Sequence, residues 1–329
     1  MLSRLADSLY WMSRYVERAE NVARFIDVNM WLSLDLPAGY QEQWSPLIST
    51  TGDDTLFAKH YEIPTKRNVI NFLTFDTRNP NSILSTITAA RENARLARQY
   101  ISLETWERVN RFYLAIQNGA RSAARGFEPG QDFFSDVMSS SHLFLGTIYA
   151  TMSHNEGWHF CRLGRLIERA DKTSRILDTK YYLLLPSLDA VGTPYDDLMW
   201  AAVLRSTSAL EMYRKRFHQI SPDRIVEFLV LDREFPRAIH YCIVSAETCL
   251  HAISGTPIST FGNPAEQLLG RLCAELNYVQ VREIIKRGLH EFLDDIQTHL
   301  NMVGDAVENS FFALQPVPVV PQYRAGRDA

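Results

Sequence analysis

Two stretches of this sequence concentrate the residues that could do chemistry. The first reads Arg14-x-x-Glu17-Arg18-Ala19-Glu20-x-x-x-Arg24-x-x-Asp27. The second, 151 positions later, reads Arg165-x-x-Glu168-Arg169-Ala170-Asp171-x-x-x-Arg175-x-x-Asp178. Every charge in the first keeps its sign in the second. Carboxylates and guanidinium groups at helical spacing allow three kinds of chemistry. They can neutralise one another as a buried ion-pair network that fixes the register of two helices. Their arginines can hold an anionic ligand, a carboxylate or a phosphate. Alternatively, Glu17 or Glu168 can act as general acid or base in a dry polar pocket, with arginines stabilising the charge that develops. A carboxylate-bridged metal pair would require Glu-x-x-His ligands on facing helices. His154 and His159 precede Glu168 at wide spacings and have no counterpart in the first stretch, so neither metal nor cofactor is expected. Gly-rich phosphate loops, a G-x-S-x-G elbow, HExxH and a Cys/His nucleophile pair are all absent from the sequence.

These charges require helices to position them. Residues 3–34 read as one long helix, with Leu9, Met12, Val16, Ala19, Ala23 and Ile26 at alternating spacings of three and four. At 100° per residue, Glu17, Glu20, Arg24 and Asp27 form a narrow stripe beside an apolar and aromatic arc of roughly 200°. The equivalent stripe is Glu168, Asp171, Arg175 and Asp178. Arg14 and Arg18 fall off the stripe, Arg18 within the aromatic arc. Spacing pairs Glu17 with Arg14, Glu20 with Arg24, and Arg24 with Asp27. Helices are also expected over residues 81–101, 103–125, 135–150, 154–185, 196–218, 222–231, 236–254, 264–286 and 288–314. Breaks are expected at Leu36–Gly39, Arg78–Asn81, Pro129-Gly130 and Gly255–Pro257.

A second repeated block follows at an offset of 156. Trp44 falls on Trp200, and Phe72-Leu73-x-Phe75-Asp76-x-x-x-Pro80-x-x-Ile83 falls on Phe228-Leu229-x-Leu231-Asp232-x-x-x-Pro236-x-x-Ile239. Asp76 and Asp232 read as turn and cap residues. Two blocks repeated in order predict an all-α, internally duplicated bundle closed around a pseudo-two-fold axis. The repeats would span 1–150 and 151–315. A Pro-rich extended tail, 316–329, would follow and could strap another subunit or partner.

The composition is that of an ordinary globular protein, 46% hydrophobic and 22% charged with a formal net charge of −4, and lacks the basic footprint of a nucleic-acid binder. Cys161, Cys242, Cys249 and Cys273 read as buried reduced thiols. No stretch reaches the roughly 18 apolar residues of a membrane span. Neither a nucleic-acid nor a membrane partner is expected. The expected location is the cytoplasm, and self-association into a homo-oligomer is compatible with the pattern. Arg91 and Arg95 read as a half-solvated helix face, and Asn155 as a helix cap.

The opening Met1-Leu2-Ser3-Arg4, followed by Leu9-Tyr10-Trp11-Met12-Ser13-Arg14-Tyr15-Val16-Glu17-Arg18-Ala19-Glu20-Asn21, resembles the start of the bacterial Alpha-E family. Leu163-Gly164-Arg165-Leu166-Ile167-Glu168-Arg169-Ala170-Asp171-Lys172-Thr173 resembles that family's later motif. The resemblance spans roughly residues 1–314. It implies an all-helical protein that accompanies circularly permuted ATP-grasp and transglutaminase-like proteins. It thus implies a pathway that makes or edits amide bonds, with a peptide substrate. No catalytic residues come with the resemblance. The expectation is a helical accessory or substrate-binding component of that pathway. The alternative is an independent enzyme of the same pathway that uses Glu17 or Glu168 on an anionic substrate.

Overall fold

A computed structural model describes residues 1–35, 43–183 and 194–313. Among these residues the chain is helical throughout, with no strand. The fold is organised on two long helices, α1 (Ser3–Asp35) and α8 (Glu156–Leu183). They lie side by side and run in the same direction, since contacts join residues about 150 positions apart along their length. Tyr10 meets Gly164, Glu17 meets Arg169, and further along Phe25 and Val28 line one cavity with Ile176 and Thr179, where Thr50 of α2 (Ser45–Thr51) also bonds Thr179. A Cβ at Gly164 would stand 2.4 Å from the Tyr10 carbonyl oxygen, so the absent side chain sets how closely the helices approach.

Each central helix has its own flanking pair. Helices α5 (Ile83–Leu96) and α7 (Gln131–Thr151) cover α1, with α6 (Leu103–Ala124) outside them. Helices α12 (Ile239–Ser254) and α15 (Leu289–Val307) cover α8, with α13 (Pro264–Tyr278) outside. Leu9, Met12, Val16, Ala19, Ala23 and Ile26, the apolar set read from the periodicity of α1, are all fully buried. Burying these side chains against α5, α7 and α8 supplies the main driving force for docking a helix whose charged residues oppose it.

Several expected helices are divided or shifted. Residues 196–218 form α9 (Pro194–Ser206) and α10 (Leu210–Phe217), because Ser208 takes a left-handed conformation (φ +53°) that a helix cannot accommodate. Residues 264–286 form α13 and α14 (Val281–Arg287), separated where Gln280 and Glu283 build a capping box that starts a new helix. Residues 45–74 carry three short helices that the periodicity did not reveal: α2, α3 (Asp54–His60) and α4 (Lys66–Thr74). Segments of seven to nine residues are too short for a 3.6-residue period to stand out. Helix α11 (Pro222–Leu231) forms as expected, and α15 ends in a π-helical turn, Glu308–Phe312.

The expected turns are present. Asp76 accepts from the Arg78 backbone N–H at 2.9 Å, and Asp232 accepts from Glu234 and Phe235 at 2.8 and 2.6 Å. Asn155 caps the start of α8 through the Gly157 N–H. All four cysteines are free and buried. The Leu36–Gly39 break and the 316–329 tail lie outside the described residues.

Candidate functional site

The charged residues of α1 and α8 meet at the centre of the fold, and they exchange partners across the helix pair. Arg18 grips Glu168 with two hydrogen bonds, Nε at 2.7 Å and Nη2 at 2.9 Å. Arg14 Nε adds a third at 3.0 Å. Reciprocally, Arg169 grips Glu17 through Nε at 2.7 Å and Nη2 at 2.8 Å. Both glutamate side chains are completely removed from solvent. Bidentate guanidinium–carboxylate pairs are the strongest such contacts, and here they compensate charges that could not otherwise be buried.

The aromatic arc of α1 supports the arginines. The Arg14 guanidinium lies 4.7 Å from the Trp11 ring centroid and bonds the Tyr10 hydroxyl at 3.1 Å; Arg18 lies over Tyr15 at 5.6 Å. The remaining Arg18 nitrogen reaches Asn81 at 2.8 Å.

Two of the spacing-based pairs are corrected here. Arg14 crosses to Glu168 instead of pairing with Glu17 three residues on, because the neighbouring helix offers a fully buried carboxylate. Arg24 bonds Glu20 as expected, but no ion pair links it to Asp27, which is half-buried. Arg18, read as lying off the stripe, is at the heart of the network. Asp171 accepts from Arg175 at 3.0 Å and from Lys172 at 3.0 Å. Asp178 lies apart from the others and bonds His290 at 2.7 Å. Arg91 and Arg95 stay on the outer face, both bonded to Glu92.

The sequence reading missed a principal member. Arg237, at the start of α12, donates to Glu20 at 2.6 Å, to Asn21 at 2.9 Å and to Glu17 at 3.3 Å. Its signal lay inside the second repeated block, where Pro236 and Ile239 match Pro80 and Ile83. The position between them changes from Asn81 to Arg237. His142 of α7 also approaches Glu20, at 3.7 Å.

The electrostatics follow from these contacts. Burial opposes the ionisation of Glu17, but Arg169 and Arg237 outweigh it and hold the carboxyl below its ordinary range. Burial likewise opposes ionisation of Glu168, and Arg18, Arg14 and Lys172 hold it far below that range. Glu20 and Asp171 are lowered by the same balance of burial against neighbouring cations. Four buried carboxylates, Glu17, Glu20, Glu168 and Asp171, thus face eight cations: Arg14, Arg18, Arg24, Arg165, Arg169, Lys172, Arg175 and Arg237. Among the described residues, Arg165 is the network arginine without an ion-paired carboxylate, and its buried Nε has no hydrogen-bond partner. Among the described residues, no group of three His, Cys, Asp or Glu could hold a metal ion.

A family model described as a predicted alpha-helical domain with a conserved ER motif, Alpha-E, matches residues 1–312. The chain belongs to the Alpha-E family. Glu17-Arg18 and Glu168-Arg169 both read Glu-Arg, and they are the dipeptides exchanged across the central helix pair. The Alpha-E chain is similar to uncharacterized proteins of Mycobacterium bovis and Mycobacterium tuberculosis, at 21% identity over 94% of its own length and 37% of theirs. It thus spans little more than a third of the curated relatives it matches. No solved structure matches it. Among the described residues, no helix is long and apolar enough to cross a membrane.

Proposed function

We propose that this Alpha-E chain is a helical accessory or substrate-binding component of an ATP-grasp-linked amide-ligation pathway, working in the cytoplasm where ATP is supplied. Its partners would be a circularly permuted ATP-grasp protein and a transglutaminase-like protein, and its substrate a peptide. The observation that carries this reading is the clamping of both Glu-Arg glutamates. A general acid must hold a proton near neutral pH, and a general base must reach its substrate. Glu17 and Glu168 are buried, each is gripped by at least two arginines, and both are held ionised. That arrangement suits a structural clasp better than proton transfer, so the accessory reading stands ahead of an independent enzyme. The relatives support a component role, since the matched region is 37% of their length.

Within this reading the chain is an internal duplication closed around a pseudo-two-fold axis parallel to α1 and α8. Three features support that. The Arg18–Glu168 and Arg169–Glu17 pairs exchange under the 151-residue offset. Helices α5 and α12, which begin 156 positions apart, pack against α1 and α8 respectively. The Asp76 and Asp232 turns precede them in turn.

The test is ATP turnover by the circularly permuted ATP-grasp protein, with candidate peptides, in the presence and absence of this chain. The expected result is stimulated turnover or a new ligated product, with co-elution of the two proteins. Unchanged turnover together with separate elution would remove the accessory role.

A further inference from the structure

Arg165 poses a specific problem. It stands 151 positions after Arg14, which is satisfied by Glu168 and by the hydroxyl of Tyr10, four residues before it. Arg165 has neither kind of partner. The carboxylate it would reach, Glu17, is already taken by Arg169 and Arg237. The residue four before it is Cys161, a small thiol that burial pushes up to about 12 and that offers no hydroxyl. Beside Cys161 and Arg165 there is a cleft. It lies between α1, α7 and α8, lined by Ser13, Tyr149, Trp158, Cys161, Arg162 and Arg165 among others, and has a volume of about 40 Å³.

The walls of this cleft carry unused hydrogen-bonding groups. Arg165 Nε is buried without a hydrogen-bond partner, and the Ser13 hydroxyl has only the weak Cys161 thiol beside it. Arg162 stands at the side, its guanidinium 5.4 Å from the Trp158 ring centroid. Burial and the neighbouring Arg169 lower Arg165 to about 10, so it remains a cation at neutral pH. Arg165 is half-buried with no ion pair among the described residues, and a site that retains such a cation is suited to an anion supplied from outside. A water needs ~10–15 Å³ of such volume, so 40 Å³ accepts about three water-sized groups. That is the size of a carboxylate. Tyr149 is exposed at the mouth and Trp158 lies beside it, offering apolar surface to whatever carries the carboxylate.

We propose that this cleft binds the carboxylate of an aromatic or apolar acid, gripped by the Arg165 fork and the Ser13 hydroxyl, with the ligand's body along Trp158 and Tyr149. The inference deepens the substrate-binding side of the proposed function and rests on it. The acid's source is either a free small molecule or the C-terminus of a peptide.

The test is calorimetric titration of the whole chain with 3-phenylpropionate and with N-acetyl-Gly-Gly-Phe, each against its amide, and with inorganic phosphate. At least one of the two acids should bind, and its amide should bind at least tenfold more weakly. Which acid binds distinguishes the two sources. Arg165→Met should weaken binding at least tenfold while leaving the melting temperature unchanged or raised, because no ion pair is lost. Cys161→Tyr, which fills the cleft while Arg165 keeps its charge, should also abolish binding. Failure of both acids to bind, binding of phosphate alone, equal binding by acid and amide, undiminished binding by Arg165→Met, or a lowered melting temperature of Arg165→Met would each overturn the proposal. Stimulation of the ATP-grasp protein without acid binding would remove the cleft and leave the accessory role. Acid binding without stimulation would do the reverse.

Discussion

Glu168→Gln tests the clasp most directly, because it keeps the side chain's shape and deletes its charge. In the native protein this fully buried carboxylate neutralises Arg14 and Arg18, and Lys172 stands 3.8 Å away. The amide would leave these cations facing each other in the interior. Breaking a buried ion pair from one side costs about 3–5 kcal/mol. Unfolding entropy at ~2.1 cal/mol/K per residue, over 329 residues, is roughly 0.7 kcal/mol/K. The melting temperature should therefore fall by about 4–7 °C at pH 7. Differential scanning calorimetry reads this directly, and the pH dependence supplies a second signature. The folded carboxyl is held far below its unfolded value, near ~4.3, so its contribution is fully present above that pH and is lost as the pH falls below it. The gap between wild type and variant should be constant from pH 8 to 5 and should narrow below pH 4. A variant that melts within 1 °C of wild type at pH 7 would refute the clasp. If it also abolished pathway activity, the catalytic reading would regain the lead.

Two further outcomes follow from the same geometry. Gly164→Ala should destabilise by ~1–3 kcal/mol, although alanine is the better helix former, because its Cβ meets the rigid Tyr10 carbonyl oxygen at 2.4 Å; a rise in thermal stability would contradict the close helix approach. Asp178→Asn should lower the pKa of His290, which the Asp178 hydrogen bond raises, as followed by the NMR titration of its ring protons. Since a raised histidine pKa stabilises below the unfolded value of ~6.5 and is lost as pH rises through the folded value, the variant should also flatten the stability profile across that window; an unmoved titration would exclude the contact.

The sequence displayed the parts of this structure that depend on local repetition. The apolar set of α1 was readable because a 33-residue helix repeats its period many times. The Glu20–Arg24 pair was readable because both partners sit on one helix, four residues apart. The destinations of Arg14 and Arg18 were not, because helix spacing says nothing of a neighbour 150 residues away. Arg237 was overlooked for a different reason. The repeated block was read for its agreements, whereas the mismatch with Asn81 is what adds a cation to Glu17 and Glu20. The same holds for Tyr10 and Cys161, whose difference leaves Arg165 without a hydroxyl. Under the proposed duplication, departures from the repeat locate the features that distinguish one half from the other.

The exchanged pairing of α1 and α8 also bears on the order in which the chain is made. Glu17 and Arg18 emerge from the ribosome 151 residues before Glu168 and Arg169. At about 5–20 residues per second, α1 waits roughly 8–30 s for the helix that neutralises it. During that interval its apolar arc has α5 and α7, with smaller contributions from α2 and α4, to cover it. The nascent first half therefore carries open charges beside exposed apolar surface until α8 arrives, and the helices that cover α8 follow later still.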